Sequence, residues 1–289
     1  MPRRWLSTLI HLRLPFSLFL LPIFLFGLFM NPAAAGPAWS AFLIIHLLVY
    51  PASHAYNTWY DRDEQPIGLI ETPPPVHVSL IWTAWLLDAA ALVWSWFVGP
   101  LFFAAMVLYT LGSKLYSWRV TRWKKRPFAG WLGVGLVQGS LTYVAVVQGL
   151  GQPLPWNDAC VWGGAVTAAL FLWGVYPLTQ VYQHEEDARH GDLTISRLVG
   201  IRGTFVLSAV FLGAAMAGFE ALFLPIKGWT TAVLLLALQA PTLGYFLWWA
   251  RGVWTDPARA DFRRTMGMNT LASGLMNLFF LVVFLWDLH

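Results

Sequence analysis

Cysteine is almost missing from this chain: Cys160 stands alone among 289 residues. That excludes an intrachain disulfide and any cysteine-based metal site. Charge is scarce as well, at 11% Asp, Glu, Lys and Arg, against roughly 25% in a soluble domain. A soluble fold of this length could not cover its surface with so few charges. The chain also lacks a heptad run, a low-complexity tract and any polar stretch large enough to fold by itself. What it has is apolar sequence, 58% of all residues, in runs close to the ~20 residues that cross a bilayer as a helix. The fold class expected is all-α, a polytopic transmembrane helical bundle forming a single domain over residues 1–289.

Runs of low charge give nine spans, at about 13–33, 37–60, 78–97, 99–117, 128–148, 158–180, 203–223, 229–249 and 265–286. With the N-terminus inside, Lys227 is the only one of the eighteen Lys and Arg residues placed outside. So one-sided a distribution is a strong positive-inside signal, and a wrong span count would scramble it. The same topology accounts for the formal net charge of +4, so nucleic acid is not an expected partner. His289 is placed outside. The opening "MPRRW", an apolar run and "NPAAAG" also look like a signal peptide. The run Leu14–Met30 is longer than a typical signal core, however, and Pro15 and Pro22 suit an irregular first helix.

The outer connections are short and the inner ones long and polar, so chemistry or binding is expected at the inner membrane face. Seven of the fourteen acids fall in two inner pieces, "HAYNTWYDRDEQPIG" and "VYQHEEDARHGDLT". Each holds a Tyr, then an amide, then an Asp four residues after the amide: Asn57 with Asp61, and Gln183 with Asp187. Residues four apart share a helix face. Glu64 can join the first face if the helix continues until Pro66 and Gly68 stop it, and Gly191 marks a stop for the second. Oxygen ligands at two facing helix ends suit Mg²⁺, which keeps several waters and is held by one or two carboxylates together with substrate phosphates. The ordinary alternative is solvated loop acids balancing the inner Arg and Lys; two matching clusters argue against it.

The segment "KLYSWRVTRWKKRPFAG" places Lys114, Arg119, Arg122, Lys124, Lys125 and Arg126 close together. Such cations can bind a diphosphate, Arg bidentately and Lys as a point charge. They serve positive-inside charge and anionic lipid equally well.

Taken together these residues resemble the UbiA-type intramembrane prenyltransferases. "NTWYDRDEQ" is similar to the family's first Asp-rich motif at Asn57 and Asp61. "QHEEDARHGDLT" is similar to the second at Asp187, Gly191 and Thr194, and "YSWRVTRWKKRP" resembles the family's stretch carrying Tyr116, Ser117, Arg122 and Lys124. The resemblance implies nine UbiA-like helices and Mg²⁺ as cofactor, held by Asn57, Asp61, Glu64, Gln183 and Asp187. It implies an isoprenyl diphosphate as substrate, contacted by Asn57, Tyr116, Arg122, Lys124 and Asp192, with Asp61 and Asp187 the catalytic pair. The prenyl acceptor would be aromatic or otherwise lipophilic, within membrane lipid. A bacterial inner membrane with cytoplasmic acidic loops is expected.

Two positions depart from the family pattern. Gln65 stands where the first motif ends in Asp, and Gln183 where the second begins with Asp. Each replaces a full negative charge by an amide. Glu64, Glu185 or Glu186 could compensate, each off register by a residue or more. The departures motivate a rival reading, a non-catalytic relative that binds isoprenoids or assembles with other membrane enzymes. Asp63, Glu64 and Asp192 are candidates for a general base. His184 and His190 are expected behind the metal site or in solvent, and His54 to pack between helices. Asp88, mid-span, is either functional or a hydrogen-bonding partner between helices.

Overall fold

A computed structural model describes residues 3–62 and 64–286. Ten helices carry the fold: α1 Arg3–His11, α2 Leu21–Met30, α3 Ala35–Asp61, α4 Ser79–Val98, α5 Pro100–Ser117, α6 Pro127–Gly149, α7 Ala159–Leu178, α8 His184–Arg189, α9 Ile195–Thr255 and α10 Phe262–Trp286. Among the described residues, six helices are long and apolar enough to cross a membrane, and a bent N-terminal pair would make a seventh. α9 supplies two crossings. Its 61 residues would reach ~90 Å as one rod, three times the ~30 Å hydrocarbon layer. Gly228, with φ of 75°, breaks it, and its halves fold back so that Phe205 meets Trp249 with ring centroids 4.7 Å apart. α5 completes nine membrane-length passes among the described residues; its 18 residues span ~27 Å.

The first pass is irregular, as its prolines foretold. A 3-10 turn at Leu14–Phe19 precedes α2, and the pair bends by 43°. α3 and α6 each contain a π-helical stretch, at Ile44–Val49 and Gly135–Leu141. In α3 the widened turn lies just before Pro51, whose ring would clash with a regular preceding turn and which has no N–H to donate. In α6 it accompanies close packing on α7: a Cβ on Gly139 would sit 2.6 Å from the Ala168 carbonyl oxygen. Small residues let backbones approach where lipid gives no hydrophobic drive between helices.

The apolar core is aromatic. Phe26 and Phe29 of α2 pack on Phe219 and Phe223 of α9, and Phe223 stacks on Phe279 of α10 at 5.6 Å. Polar side chains gather at the other end of the bundle, where the segment between α3 and α4 is pinned from below. Ser7 donates to the Pro75 carbonyl at 2.7 Å, His11 Nε2 donates to the Pro74 carbonyl at 2.8 Å, and Ile67 and Ile70 pair backbone to backbone.

Candidate functional site

α3 is a membrane-crossing helix that stops where its side chains turn polar. Asp61 is its last residue, and Arg62 caps it in the left-handed conformation, φ 53°. Asn57 Nδ2 donates to Asp61 Oδ2 at 2.7 Å and to Ser117 Oγ of α5 at 3.1 Å. The i, i+4 face expected of this pair is therefore present. Glu64 does not share it. The helix ends four residues before Gln65, and both Glu64 and Gln65 are exposed, so the expectation that Pro66 and Gly68 would stop the helix is corrected. A left-handed Arg has no sequence signature comparable to glycine.

The second segment forms its own short helix, α8. Asp187 N–H donates to the Gln183 carbonyl at 2.9 Å, so amide and acid again lie one turn apart. Gly191, with φ of 68°, ends the turn as expected. Thr194 Oγ1 donates to Asp187 Oδ2 at 3.2 Å. Burial pushes the Asp187 carboxyl up to about 6, against the opposing pull of Lys124 and Thr194. Glu186, 6% exposed, accepts the Glu64 N–H on Oε1 at 3.0 Å, while its Oε2 has no hydrogen-bond partner among the described residues. Glu185 points away, its side chain 91% exposed beside Arg189.

Between the segments stand two cations from the loop after α5. Lys124 Nζ lies 2.8 Å from Asp61 Oδ1 and 3.2 Å from Asp192 Oδ2. Arg122 forks onto Asp192, Nε to Oδ1 at 3.2 Å and the terminal nitrogen to Oδ2 at 2.9 Å. Burial raises the Asp192 pKa, but the Arg122 hydrogen bond and the Lys124 charge outweigh it and hold it below the ordinary carboxylate value. Arg119, Lys125 and Arg126 are exposed. Lys114 departs from the expected cation cluster: it pairs with Asp88 at 2.5 Å and sits 4.3 Å over the Tyr56 ring. Asp88 is thus an interhelical partner, joining α4 to α5.

These groups border one cavity of about 220 Å³. Asn57, Asp61, Tyr116, Lys124, Gln183, Glu186 and Asp187 line it. Among the described lining residues, Arg122, Asp192 and Glu64 are absent. Arg122 and Asp192, expected to contact a substrate, stand directly behind the lining, where Asp192 pairs with Lys124 and Arg122 comes within 3.7 Å of Asp61. Tyr116 and Tyr176 meet hydroxyl to hydroxyl at 2.5 Å on the wall, and deeper lining comes from Phe16, Leu20, Tyr109, Val134 and Phe171. His54 also lines it, edge-on to Phe16. His184 lies behind, on Ser196 Oγ at 2.7 Å, its pKa driven down to about 4 by burial and by Arg197. His190 is exposed. Asp63 and His289 fall outside the described residues.

Sequence reasoning missed several lining residues. Arg13, with φ of 49°, donates to the His54 carbonyl and to Thr58 Oγ1, both at 3.2 Å. Asn269 and Ser273 enter the cavity from α10. They are polar, four apart and set in an apolar span, which is the signal that could have found them.

The result is an integral membrane helical bundle whose polar end presents amides, carboxylates and a lysine to a cavity with an apolar floor. The chain belongs to the UbiA prenyltransferase family, whose sequence profile matches residues 20–282. Among curated protein sequences, none matches it. Solved structures with the same fold include a UbiA homolog from Archaeoglobus fulgidus bound to GPP and Mg²⁺. It is 18% identical with a TM-score of 0.69, over 96% of this chain and 99% of that one. An apo UbiA homolog from Aeropyrum pernix K1 is 18% identical with a TM-score of 0.70, over 93% and 98%. A structure described for digeranylgeranylglyceryl phosphate synthase is 15% identical with a TM-score of 0.60, over 96% of each chain.

Proposed function

We propose that the protein transfers an isoprenyl group from an isoprenyl diphosphate to a lipophilic acceptor within the membrane, using Mg²⁺. The observation that carries this reading is the single cavity joining both amide–aspartate pairs to Lys124 and to an apolar, aromatic floor. Archaeoglobus fulgidus homologs of the same fold are bound to GPP or DMAPP together with Mg²⁺. The donor set fits the ion. Asn57, Asp61, Gln183 and Asp187 offer only oxygen ligands to it, and one or two carboxylates suffice when phosphates and waters complete the shell.

When bound, Mg²⁺ would neutralise charge on the diphosphate as it leaves. The chain's own contribution is positioning. Lys124 places a fixed cation at the mouth, where the carbon–oxygen bond breaks and negative charge builds on the departing group. Asp61 and Asp192 hold that ammonium in place, and Arg122 anchors Asp192. The allylic cation is left over the floor, where Tyr116, Tyr176 and Phe171 can face it with their rings. The acceptor attacks it and loses a proton. Of the base candidates, Glu64 is exposed and Asp192 is committed to Arg122 and Lys124, so the geometry favours neither.

The polar end is assigned to the cytoplasmic face of a bacterial inner membrane, on the strength of the cation distribution. Purified protein in nanodiscs, given geranylgeranyl diphosphate, should release diphosphate when Mg²⁺ is added and not when EDTA replaces it. A non-catalytic relative, the reading that Gln65 and Gln183 favour, would bind the substrate without releasing diphosphate.

A further inference from the structure

Gln183 leaves the second segment one carboxylate short of the family pattern, and three nearby acids could make up the charge. Two are excluded by their placement. Glu185 points outward with its side chain 91% exposed, and Glu64 is exposed beyond the end of α3. Glu186 alone faces the cavity, 6% exposed. Helix geometry explains how an acid off register can serve. Positions 183, 186 and 187 are i, i+3 and i+4, which lie together on one face, and all three line the cavity. Oε1 of Glu186 is occupied by the Glu64 N–H at 3.0 Å. Oε2 is buried without a hydrogen-bond partner among the described residues. A buried carboxylate oxygen without a donor is costly unless a cation meets it.

We propose that Glu186 supplies the missing carboxylate of the second segment, its Oε2 ligating a divalent cation that Asp187 also faces. This rests on the diphosphate reading above. It has a structural consequence: the carboxylate that receives the cation also accepts the backbone N–H of Glu64, so occupancy on α8 fixes the segment that follows Asp61. The two acidic segments are then joined through one side chain.

The test uses Mn²⁺ as a paramagnetic probe, titrated into the full-length protein in nanodiscs with geranylgeranyl thiolodiphosphate, which resists cleavage. Glu186→Gln keeps an oxygen for the Glu64 N–H and removes only the charge. It should weaken Mn²⁺ binding at least about tenfold. Glu185→Gln should titrate like the parent, and Gln183→Asp added to Glu186→Gln should return most of the lost affinity. Proteolytic cleavage within residues 62–78 and the melting temperature, both followed without metal, should be unchanged in Glu186→Gln, because the strap to the Glu64 N–H is kept; a mere strap role would then leave Mn²⁺ binding unchanged as well. Parent-like titration by Glu186→Gln overturns the proposal, and so does equal loss in Glu185→Gln. A parent that holds no Mn²⁺ with the analogue overturns the diphosphate reading itself.

Discussion

The two acidic segments bring the same pair of groups, an amide and an aspartate one helical turn later, to one cavity on very different backbones. Asn57 and Asp61 ride on the last turn of a 27-residue membrane-crossing helix. Their charge is already matched, since Asp61 Oδ1 has Lys124 at 2.8 Å and Oδ2 accepts from Asn57. Asp187 rides on a six-residue helix between two passes, and Gln183 stands at its N-cap. Asp187 accepts a 3.2 Å hydrogen bond from Thr194 and feels the charges of Lys124 and Arg197, yet burial outweighs them and raises its pKa to about 6. Asp61 is ion-paired before any ligand arrives, whereas the charge on Asp187 is compensated only in part. On this comparison the second segment is where metal makes the larger difference.

The largest expected effect tests that asymmetry directly. Asp61→Asn and Asp187→Asn should each abolish Mg²⁺-dependent binding of a diphosphate analogue, because each removes an obligatory carboxylate; Asp158→Asn, at the N-cap of α7, should not. Stability should separate the two. Asp61→Asn removes the acid 2.8 Å from the Lys124 ammonium and should cost about 1–3 kcal/mol in metal-free protein. Asp187→Asn removes a charge that its surroundings disfavour, and should leave metal-free stability at neutral pH unchanged or higher. Chemical denaturation in EDTA distinguishes these outcomes, and equal losses in both variants would erase the asymmetry.

A second, smaller effect concerns pH. The Asp187 carboxyl has a folded pKa raised to about 6, so the folded chain holds that proton more tightly than the unfolded one. Stability from this group is present at low pH and is lost as pH rises through about 6. Metal binding needs the ionised form and runs the opposite way, weakening as pH falls through the same window. Metal-free melting temperatures measured from pH 5 to pH 7 should therefore decline for the parent, with that contribution missing in Asp187→Asn. A parent without this slope would mean that Asp187 is not desolvated.

Much of this was legible in the sequence because hydropathy and charge act over many residues. Nine passes follow from runs near 20 residues, and the polar end follows from the crowding of Asp61, Lys124 and Asp187 into inner segments. Individual aims were not legible. Whether α3 continues past Asp61 depends on Arg62 adopting a left-handed conformation, which no neighbouring glycine or proline announces. Lys114 and Lys124 look alike in a run of basic residues; one is drawn to Asp88 across a helix pair, the other to Asp61 across the cavity. Arg122 and Asp192 were singled out separately, but the contact between them, 70 residues apart in the chain, was not legible. Periodicity gives a residue's face, and only tertiary packing tells which partner claims it.

The smallest effect separates the two departures from the family pattern. Both Gln65 and Gln183 stand where the resemblance leads one to expect an aspartate, and on sequence alone an acid at either position should tighten Mg²⁺. Their surroundings differ. Gln183 lines the cavity one turn before Asp187, so a carboxylate there adds Coulombic attraction inside a partly dry site. Gln65 is exposed, four residues past the end of α3 and outside the reach of its i+4 spacing. A charge there is screened over a Debye length of about 8 Å at physiological salt. Gln183→Asp should therefore lower the Mg²⁺ concentration for half-maximal analogue binding severalfold, while Gln65→Asp should change it by less than about twofold, as expected of an exposed charge. Raising the salt to about 0.5 M should erase any gain from Gln65→Asp and preserve most of that from Gln183→Asp, because screening acts on exposed charges far more than on buried ones. If Gln65→Asp gains as much as Gln183→Asp and keeps the gain in salt, the segment after Asp61 must fold inward when metal binds. The two acidic segments would then be equivalent in the loaded protein.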